Sequence, residues 1–166
     1  MGCDSVTYRT INLELKKPWY LNYLKYVFGD DSEPIKINRN EEIGQYLFSR
    51  VRTAQFPVQI MLDRPYVKLI MPNNELDTAK YKFMYYSAED VIRISDYIES
   101  MAYIDLRSMI ATGSIDLEMD KKTVMSIYSQ LIYGDDRYET LKKDEYRKRK
   151  KMKLWLQKTA KEFGYR

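Results

Sequence analysis

A cluster of basic residues near the C-terminus is the part of this sequence most directly able to do chemistry. The segment from residue 142 to residue 153 holds eight lysines and arginines and two acids, whereas the whole chain of 166 residues has a net charge of only +4. The rest of the chain is therefore net negative. Such a concentration favours a polyanionic partner, and we expect nucleic acid. The cations are Lys142, Lys143, Arg147, Lys148, Arg149, Lys150, Lys151 and Lys153.

The same cluster is open to plainer interpretations. No apolar residue occurs from Arg147 to Lys151, so this stretch cannot pack into a core. A solvated helix face that keeps the protein soluble would have the same composition as this cluster. A nuclear-localisation or membrane-surface segment would also be basic, although this turn lacks an apolar stripe for lipid. Adjacent cations repel one another, and bound phosphates would relieve that repulsion. For this reason we favour the polyanion.

Two predicted helices joined by a short turn contain this cluster. Apolar spacing and Gly134 predict a helix over residues 121–133, a turn, and a last helix over about 138–163. This order matches a helix-turn-helix in outline, although a plain helical hairpin has it too. In a helix-turn-helix the start of the second helix faces the bases and its later part contacts phosphates. The base-facing residues would be Arg137, Tyr138, Thr140, Lys142 and Lys143, and the phosphate-binding residues Arg147, Lys148, Arg149, Lys150, Lys151 and Lys153.

Much catalytic chemistry is excluded by composition. The chain has no histidine and one cysteine, which removes Ser-His-Asp and Cys-His systems, histidine-ligated zinc, four-cysteine metal sites and intramolecular disulfides. Phosphate-binding loops of the GxxxxGK[ST] and GxGxxG types are absent from the sequence. The acids Asp116, Glu118 and Asp120, and the pairs at 30–31 and 135–136, fit loop and capping roles better than metal ligation. We therefore expect a non-enzymatic protein with no cofactor and no metal.

The elements that position the cluster follow a two-part plan. Alternation from Thr7 to Leu15 predicts a half-buried strand with Ile11, Leu13 and Leu15 inward. Pro18 suits the first turn of a helix, and Gly29 its end. The other N-terminal predictions are a short strand at 34–38, a helix that Asn40 caps and that reaches Val51, a hairpin of strands at 56–62 and 66–71, and a strand at 81–86.

The C-terminal part is predicted to be helical throughout. Ser87 begins a long helix with Asp90 as its capping partner, and this helix ends near Gly113. Asp120 caps the next helix. On the last helix an apolar stripe is expected to face the core, formed by Met152, Leu156, Ala160 and Phe163 with Trp155 alongside. The fold class is thus α+β, with a small N-terminal sheet with helices at 1–86 followed by a C-terminal bundle of about three helices at 87–166.

A pattern spread along the chain also resembles small uncharacterised proteins of Bacteroidetes phages and mobile elements. It comprises Pro18-Trp19-Tyr20-Leu21, Tyr23-Leu24, Phe28-Gly29, Pro34-Ile35-Lys36, Ile43-Gly44, Tyr138-Glu139-Thr140-Leu141-Lys142-Lys143, Tyr146-Arg147 and Arg149-Lys150. The resemblance implies a mobile-element setting and carries no catalytic residues.

Together these features predict a nucleic-acid-binding accessory or regulatory protein that acts through its basic last helix, with DNA favoured over RNA. The alternative is a protein–protein interaction or virion assembly component, in which the 16 tyrosines build contact surfaces with another protein or a second copy. No apolar run approaches the roughly 20 residues that span a bilayer, so we expect no membrane partner. The expected location is the cytoplasm, that of the host if the protein is phage-encoded, or the virion.

Overall fold

The fold is known from a computed structural model, which describes residues 9–29, 31, 33–71 and 83–165. These residues form the predicted α+β arrangement, with strands confined to the N-terminal side. None of the helices within these ranges is both long and apolar enough to cross a membrane. The elements in chain order are β1 (Arg9–Glu14), α1 (Trp19–Phe28), β2 (Ile35–Lys36), α2 (Glu42–Ser49), β3 (Arg52–Ala54), β4 (Tyr66–Met71), β5 (Phe83–Tyr85), α3 (Ala88–Asp116), α4 (Lys121–Tyr133) and α5 (Tyr138–Glu162).

A three-stranded sheet in the order β1-β4-β2 forms the centre of the N-terminal part. The strand β1 runs antiparallel to β4 and pairs Ile11 with Leu69, while β2 runs parallel to β4 on its other side. The alternation predicted for β1 is confirmed, because Ile11, Leu13 and Leu15 are all buried. Val67 and Leu69 of β4 are buried as well, so one face of the sheet carries the core.

The predicted hairpin of 56–62 with 66–71 is wrong. Residues 66–71 do form β4, but β4 pairs with β1 and β2, and residues 56–62 form no strand. A second sheet instead joins β3 to β5 in antiparallel pairing. Pro57 lacks the backbone N–H that a ladder needs, and local β-propensity does not say which distant strand is the partner. The unpaired segment keeps five large apolar side chains exposed, namely Phe56, Val58, Ile60, Met61 and Leu62.

Helix ends follow most of the local signals. Gly29 and Gly134 end α1 and α4 in the left-handed conformation, with φ of 61° and 74°. Asp120 caps α4, since its carboxylate accepts from the Thr123 N–H at 3.0 Å. Asn40 is not the cap of α2, because the helix begins one position later than predicted and Glu41 occupies the N-cap without a side-chain bond. The Asn40 N–H is instead bound by the Asn38 side chain at 2.9 Å.

The start of α3 is fixed by a polar cluster around Asp90. As predicted, Ser87 and Asp90 cap each other: the Ser87 N–H donates to the Asp90 carboxylate at 3.1 Å, and the Asp90 N–H donates to Ser87 Oγ at 3.1 Å. Arg52 of β3 adds a bond that the sequence did not indicate, from its Nε to Asp90 Oδ2 at 2.6 Å. Asp90 is buried, so these donors replace the water it has lost.

The chain divides into two compact units, Met1–Asp105 and Leu106–Arg166, and the division falls inside α3. In the first unit, α1 bonds to the part of α3 that belongs to this unit: the Tyr20 hydroxyl donates to Glu99 and the Tyr23 hydroxyl to Asp105, both at 2.6 Å. In the second unit, α4 contacts α5, and the Val124 side chain of α4 lies against Gly113 of α3. The division predicted from sequence, into an α/β module at 1–86 and a helical module at 87–166, stays a prediction.

The Asp90 cluster makes stability depend on acid. The Arg52 guanidinium and the Ser87 donors hold the pKa of Asp90 at about 2, below its usual 3.8. A lowered pKa means stability that is fully present above pH 3.8 and is lost as the pH falls through about 2. We expect this pH-dependent part to be on the order of 2 kcal/mol. Urea unfolding of the wild type and of Asp90→Asn should therefore converge near pH 2; profiles that stay parallel from pH 7 to pH 2 would contradict this.

Candidate nucleic-acid interface

The last helix is held to the rest of its unit over its first two turns. Of the side chains in α5, only Leu141 and Glu145 are buried. They lie four residues apart, and therefore on one face of the helix. Contacts with α4 form this attachment, and α4 buries Val124, Tyr128 and Ile132 in the same unit.

Glu145 is a buried carboxylate with two basic partners. The Lys121 ammonium at the start of α4 forms a close ion pair and hydrogen bond with one carboxylate oxygen. The Arg149 Nε lies 3.7 Å from the other oxygen, one turn further along α5. A buried carboxylate left without such partners would be strongly destabilising. The contact with Lys121 thus fixes where α5 crosses α4, and the sequence did not reveal it.

The turn between α4 and α5 is organised by Ser129, another residue that pattern analysis missed. Ser129 is buried; its hydroxyl donates to the Asp135 carbonyl at 2.7 Å and accepts from the Arg137 N–H at 2.6 Å. Asp136 accepts from the Tyr138 N–H at 3.0 Å, and Asp135 pairs with the Arg137 guanidinium at 2.7 Å. Both acids are thereby used in the turn. Among the residues that the structure describes, no cluster of cysteine and carboxylate side chains could hold a metal ion.

The residues predicted to face bases fall into two groups. Arg137, Tyr138 and Lys142 lie together at the start of α5: the Arg137 guanidinium is 5.0 Å from the Tyr133 ring centre, and the Lys142 ammonium is 5.5 Å from that of Tyr138. Lys122 approaches the same Tyr138 ring at 5.8 Å. These are cation–π contacts within the protein. Thr140 and Lys143 are exposed.

The later cations are all exposed, as the absence of apolar residues among them predicts. Arg147 has an ion pair with Asp144 at 3.8 Å, and Arg149 has the one with Glu145. Lys143, Lys150, Lys151 and Lys153 have no ion pair with any residue in the described ranges. Successive helix residues are about 100° apart, so the run from 147 to 151 surrounds the helix. The exposed cations of this run and its flank are Arg147, Lys148, Arg149, Lys150, Lys151 and Lys153.

The predicted core-facing stripe on α5 is wrong. Trp155 is 62% exposed, and Met152, Leu156 and Phe163 are exposed too, while Ala160 is half-buried. Periodicity identifies one apolar face but does not supply a surface to cover it. With 13 residues, α4 is about half as long as the 25-residue α5, so it cannot accompany α5 to its end. A polar contact from α3 to this face is a long one, from the Arg107 guanidinium to Met152 Sδ at 3.9 Å.

Comparisons of this chain with protein-family models, with curated proteins and with solved structures found no match. Function is therefore inferred from the chemistry of α5 itself.

The attachment of α5 predicts unequal costs for alanine substitutions along its apolar residues. Leu141→Ala removes a side chain that is only 9% exposed and should cost about 2–4 kcal/mol of unfolding free energy. Trp155→Ala and Leu156→Ala remove exposed side chains, so each should change it by less than about 0.5 kcal/mol. Urea denaturation of the three variants provides the measurement. A loss above about 2 kcal/mol for Trp155→Ala would mean that the end of α5 is packed after all.

Proposed function

We propose that this protein is a non-enzymatic nucleic-acid-binding protein that holds phosphates with α5. The observation that carries the proposal is the exposure of every cation from residue 147 to residue 151, on a helix whose buried side chains are Leu141 and Glu145 alone. A packing role cannot explain why these cations are present, because none of them is buried. A helix anchored at one end and basic around its circumference can approach the sugar–phosphate backbone from several sides.

Electrostatics favours phosphates over water as partners of the cations on α5. Like charges four residues apart on a helix destabilise it by a few tenths of a kcal/mol per pair. Three acids of α5 pair with Arg147, Arg149 and Lys158, whereas Lys143, Lys150, Lys151 and Lys153 have no ion pair in the described ranges. Phosphates would neutralise the cations, and the release of counterions would drive the association. DNA is the polyanion we favour.

Base readout through a helix-turn-helix is a finer proposal. The residues concerned are Arg137, Tyr138, Thr140, Lys142 and Lys143. Arg137 and Tyr138 are already engaged with neighbouring side chains, so contact with bases would require them to leave those partners. The side chains left exposed on this part of the helix include the acid Glu139. Contacts with the phosphate backbone of the DNA are therefore favoured over contacts that read the base sequence.

The resemblance to proteins of phages and mobile elements supplies the proposed setting. In that setting the protein would be an accessory or regulatory factor in the cytoplasm of the host cell. This part of the proposal depends on the resemblance and on no contact in the molecule.

Salt dependence tests the proposal. If about four to six cations meet phosphates, the logarithm of the association constant for duplex DNA should fall with the logarithm of salt concentration at a slope of about −4 to −5. The double variant Lys150→Gln/Lys151→Gln should reduce the slope by about two. Both residues are exposed, so the melting temperature should not fall. Fluorescence anisotropy with labelled DNA provides the measurement.

The matched control is Lys36→Gln/Lys68→Gln, which removes the same charge from exposed positions in the first unit. It should leave the slope nearly unchanged. Absence of binding to both duplex and single-stranded DNA at about 50 mM salt, where electrostatic association is strong, would overturn the proposal. Equal effects of the two double variants would mean that net charge matters and α5 does not.

A second candidate function is that of a protein–protein or virion assembly component. The observation that favours it is the segment 56–62, which has no charged residue and holds five exposed apolar side chains, with Leu62 95% exposed. Contiguous exposed apolar surface of this kind marks contact sites on soluble proteins.

For this candidate we expect concentration-dependent self-association that Leu62→Asp abolishes. The matched control is Leu117→Asp, an exposed leucine in the second unit, which should leave the association intact. Sedimentation velocity provides the measurement. A wild-type protein that stays monomeric at high concentration would remove self-assembly as a role of this segment.

A further inference from the structure

We infer that α5 takes single-stranded nucleic acid, with unpaired bases stacked on the rings of Tyr146 and Trp155 and phosphates held by the lysines beside those rings. This inference rests on the proposed function and narrows its ligand to one class.

Tyr146 lies in the middle of a basic strip. Its side chain is 57% exposed, and no ion pair, aromatic contact or cation–π contact involves it within the described residues. Lys143, Lys150 and Lys153 lie three residues before it and four and seven residues after it, which places all three within about 60° of the ring around the helix axis. They are exposed and have no ion pair in the described ranges. A ring flanked by available ammonium groups can accept a base face and the phosphates next to it.

Trp155 repeats this arrangement on the other side of the helix. Its ring is 62% exposed and lies nine residues after Tyr146, about 180° around the axis. Lys151 is one turn before it, and Lys158 is three residues after it, at 4.0 Å from Glu162. The ring makes no aromatic or cation–π contact with described residues. Both rings thus combine exposure with basic neighbours, whereas Tyr138 is approached by two lysine ammonium groups of its own unit.

These features suit a single strand better than a duplex. In a duplex each base face is covered by the next base pair, so a side chain cannot stack on it without unstacking the helix. A helix lying in a groove also presents one side to the DNA. Here the two rings and the intervening cations face opposite sides, so one duplex would leave half of them unused. A flexible strand can follow the cations around α5 and place bases on both rings.

An alternative use of the rings is contact with a protein partner. The apolar neighbours Met152 and Leu156 are exposed as well, so such a contact is chemically reasonable. The cations argue against it, because an apolar docking surface would be depleted of lysine, whereas each of these rings has lysines on both sides along the helix. Oligonucleotide binding by variants that lack the rings separates the two uses.

Three probes of one length distinguish bases from phosphates: oligothymidine of about 16 nucleotides, an abasic strand of the same length, and the corresponding duplex. The abasic strand has the phosphates without the bases. We expect oligothymidine to bind about a hundredfold more tightly than the abasic strand, about tenfold for each of the two rings. Tryptophan fluorescence adds a direct signal, because of the two tryptophans Trp19 is buried and Trp155 is exposed. Oligothymidine should quench the emission of Trp155, and the abasic strand should not.

Substitutions at the rings complete the test. Trp155→Leu and Tyr146→Leu keep an apolar side chain and remove the aromatic ring; each should weaken oligothymidine binding by about tenfold and leave abasic binding unchanged. Trp155→Phe and Tyr146→Phe should retain most of the affinity. Phe56→Leu is the matched control, since it removes an exposed ring in the first unit. Circular dichroism should show that all these variants keep the wild-type helix content.

Each remaining outcome decides against the inference. Equal affinity for oligothymidine and the abasic strand, or tighter binding of the duplex with no effect of the ring substitutions, would overturn base stacking and leave the phosphate-binding function standing. Ring substitutions that dissociate an oligomer without changing oligothymidine affinity would assign the rings to a protein interface. Failure to bind any of the three probes would overturn the proposed function, and the inference with it.

Discussion

The burial of one carboxylate, that of Glu145, sets the arrangement of the C-terminal unit. A carboxylate inside a protein requires partners, and Lys121 and Arg149 supply them from the start of α4 and from the next turn of α5. Leu141 adds the apolar part of the same attachment. These contacts all lie in the first half of α5, and no side chain of α5 after Glu145 is buried. The exposure of its cations and rings follows from that geometry.

Three acids of this unit act at helix ends. Asp120 caps α4, Asp136 binds the first N–H of α5, and Asp135 pairs with Arg137, so all three act at helix ends. Acidic groups suit helix N-termini, where they complement the helix dipole. These three are therefore used in the turns. Three further acids, on α5 itself, pair with Arg147, Arg149 and Lys158, and Lys143, Lys150, Lys151 and Lys153 have no ion pair in the described ranges.

Local signals made much of the fold predictable. The strand β1, the glycine ends of α1 and α4, the reciprocal capping of Ser87 and Asp90, and the Asp120 cap all depend on residues close in sequence. The failures concern partners that are distant in sequence. Residues 56–62 have strand-like composition but pair with no described strand, and the apolar face of α5 has the correct period but stays exposed in the part of the chain that the structure describes. The local sequence of each segment does not show whether a distant partner exists.

In the candidate site, too, the features that depend on local sequence were predictable and those that depend on distant residues were not. The exposure of residues 147–151 was predictable, because a helical stretch with no apolar residue cannot be buried. The roles of Lys121 and Ser129 were not, since each depends on a residue across the helical hairpin. The exposure of Tyr146 and Trp155 was not predictable either, because spacing alone places Trp155 beside a core-facing stripe.

The separation of the basic helix from the core affects how a ligand would be detected. Its cations are contiguous in the sequence, so the unfolded chain keeps nearly the same charge density and also attracts polyanions. A ligand that binds both states raises the melting temperature little. The end of α5 can also open locally at a free energy well below that of global unfolding, because few contacts outside the helix hold it. Binding of a ligand to this helix would therefore be detected as slowed amide hydrogen exchange over residues 150–162, and not as a rise in melting temperature.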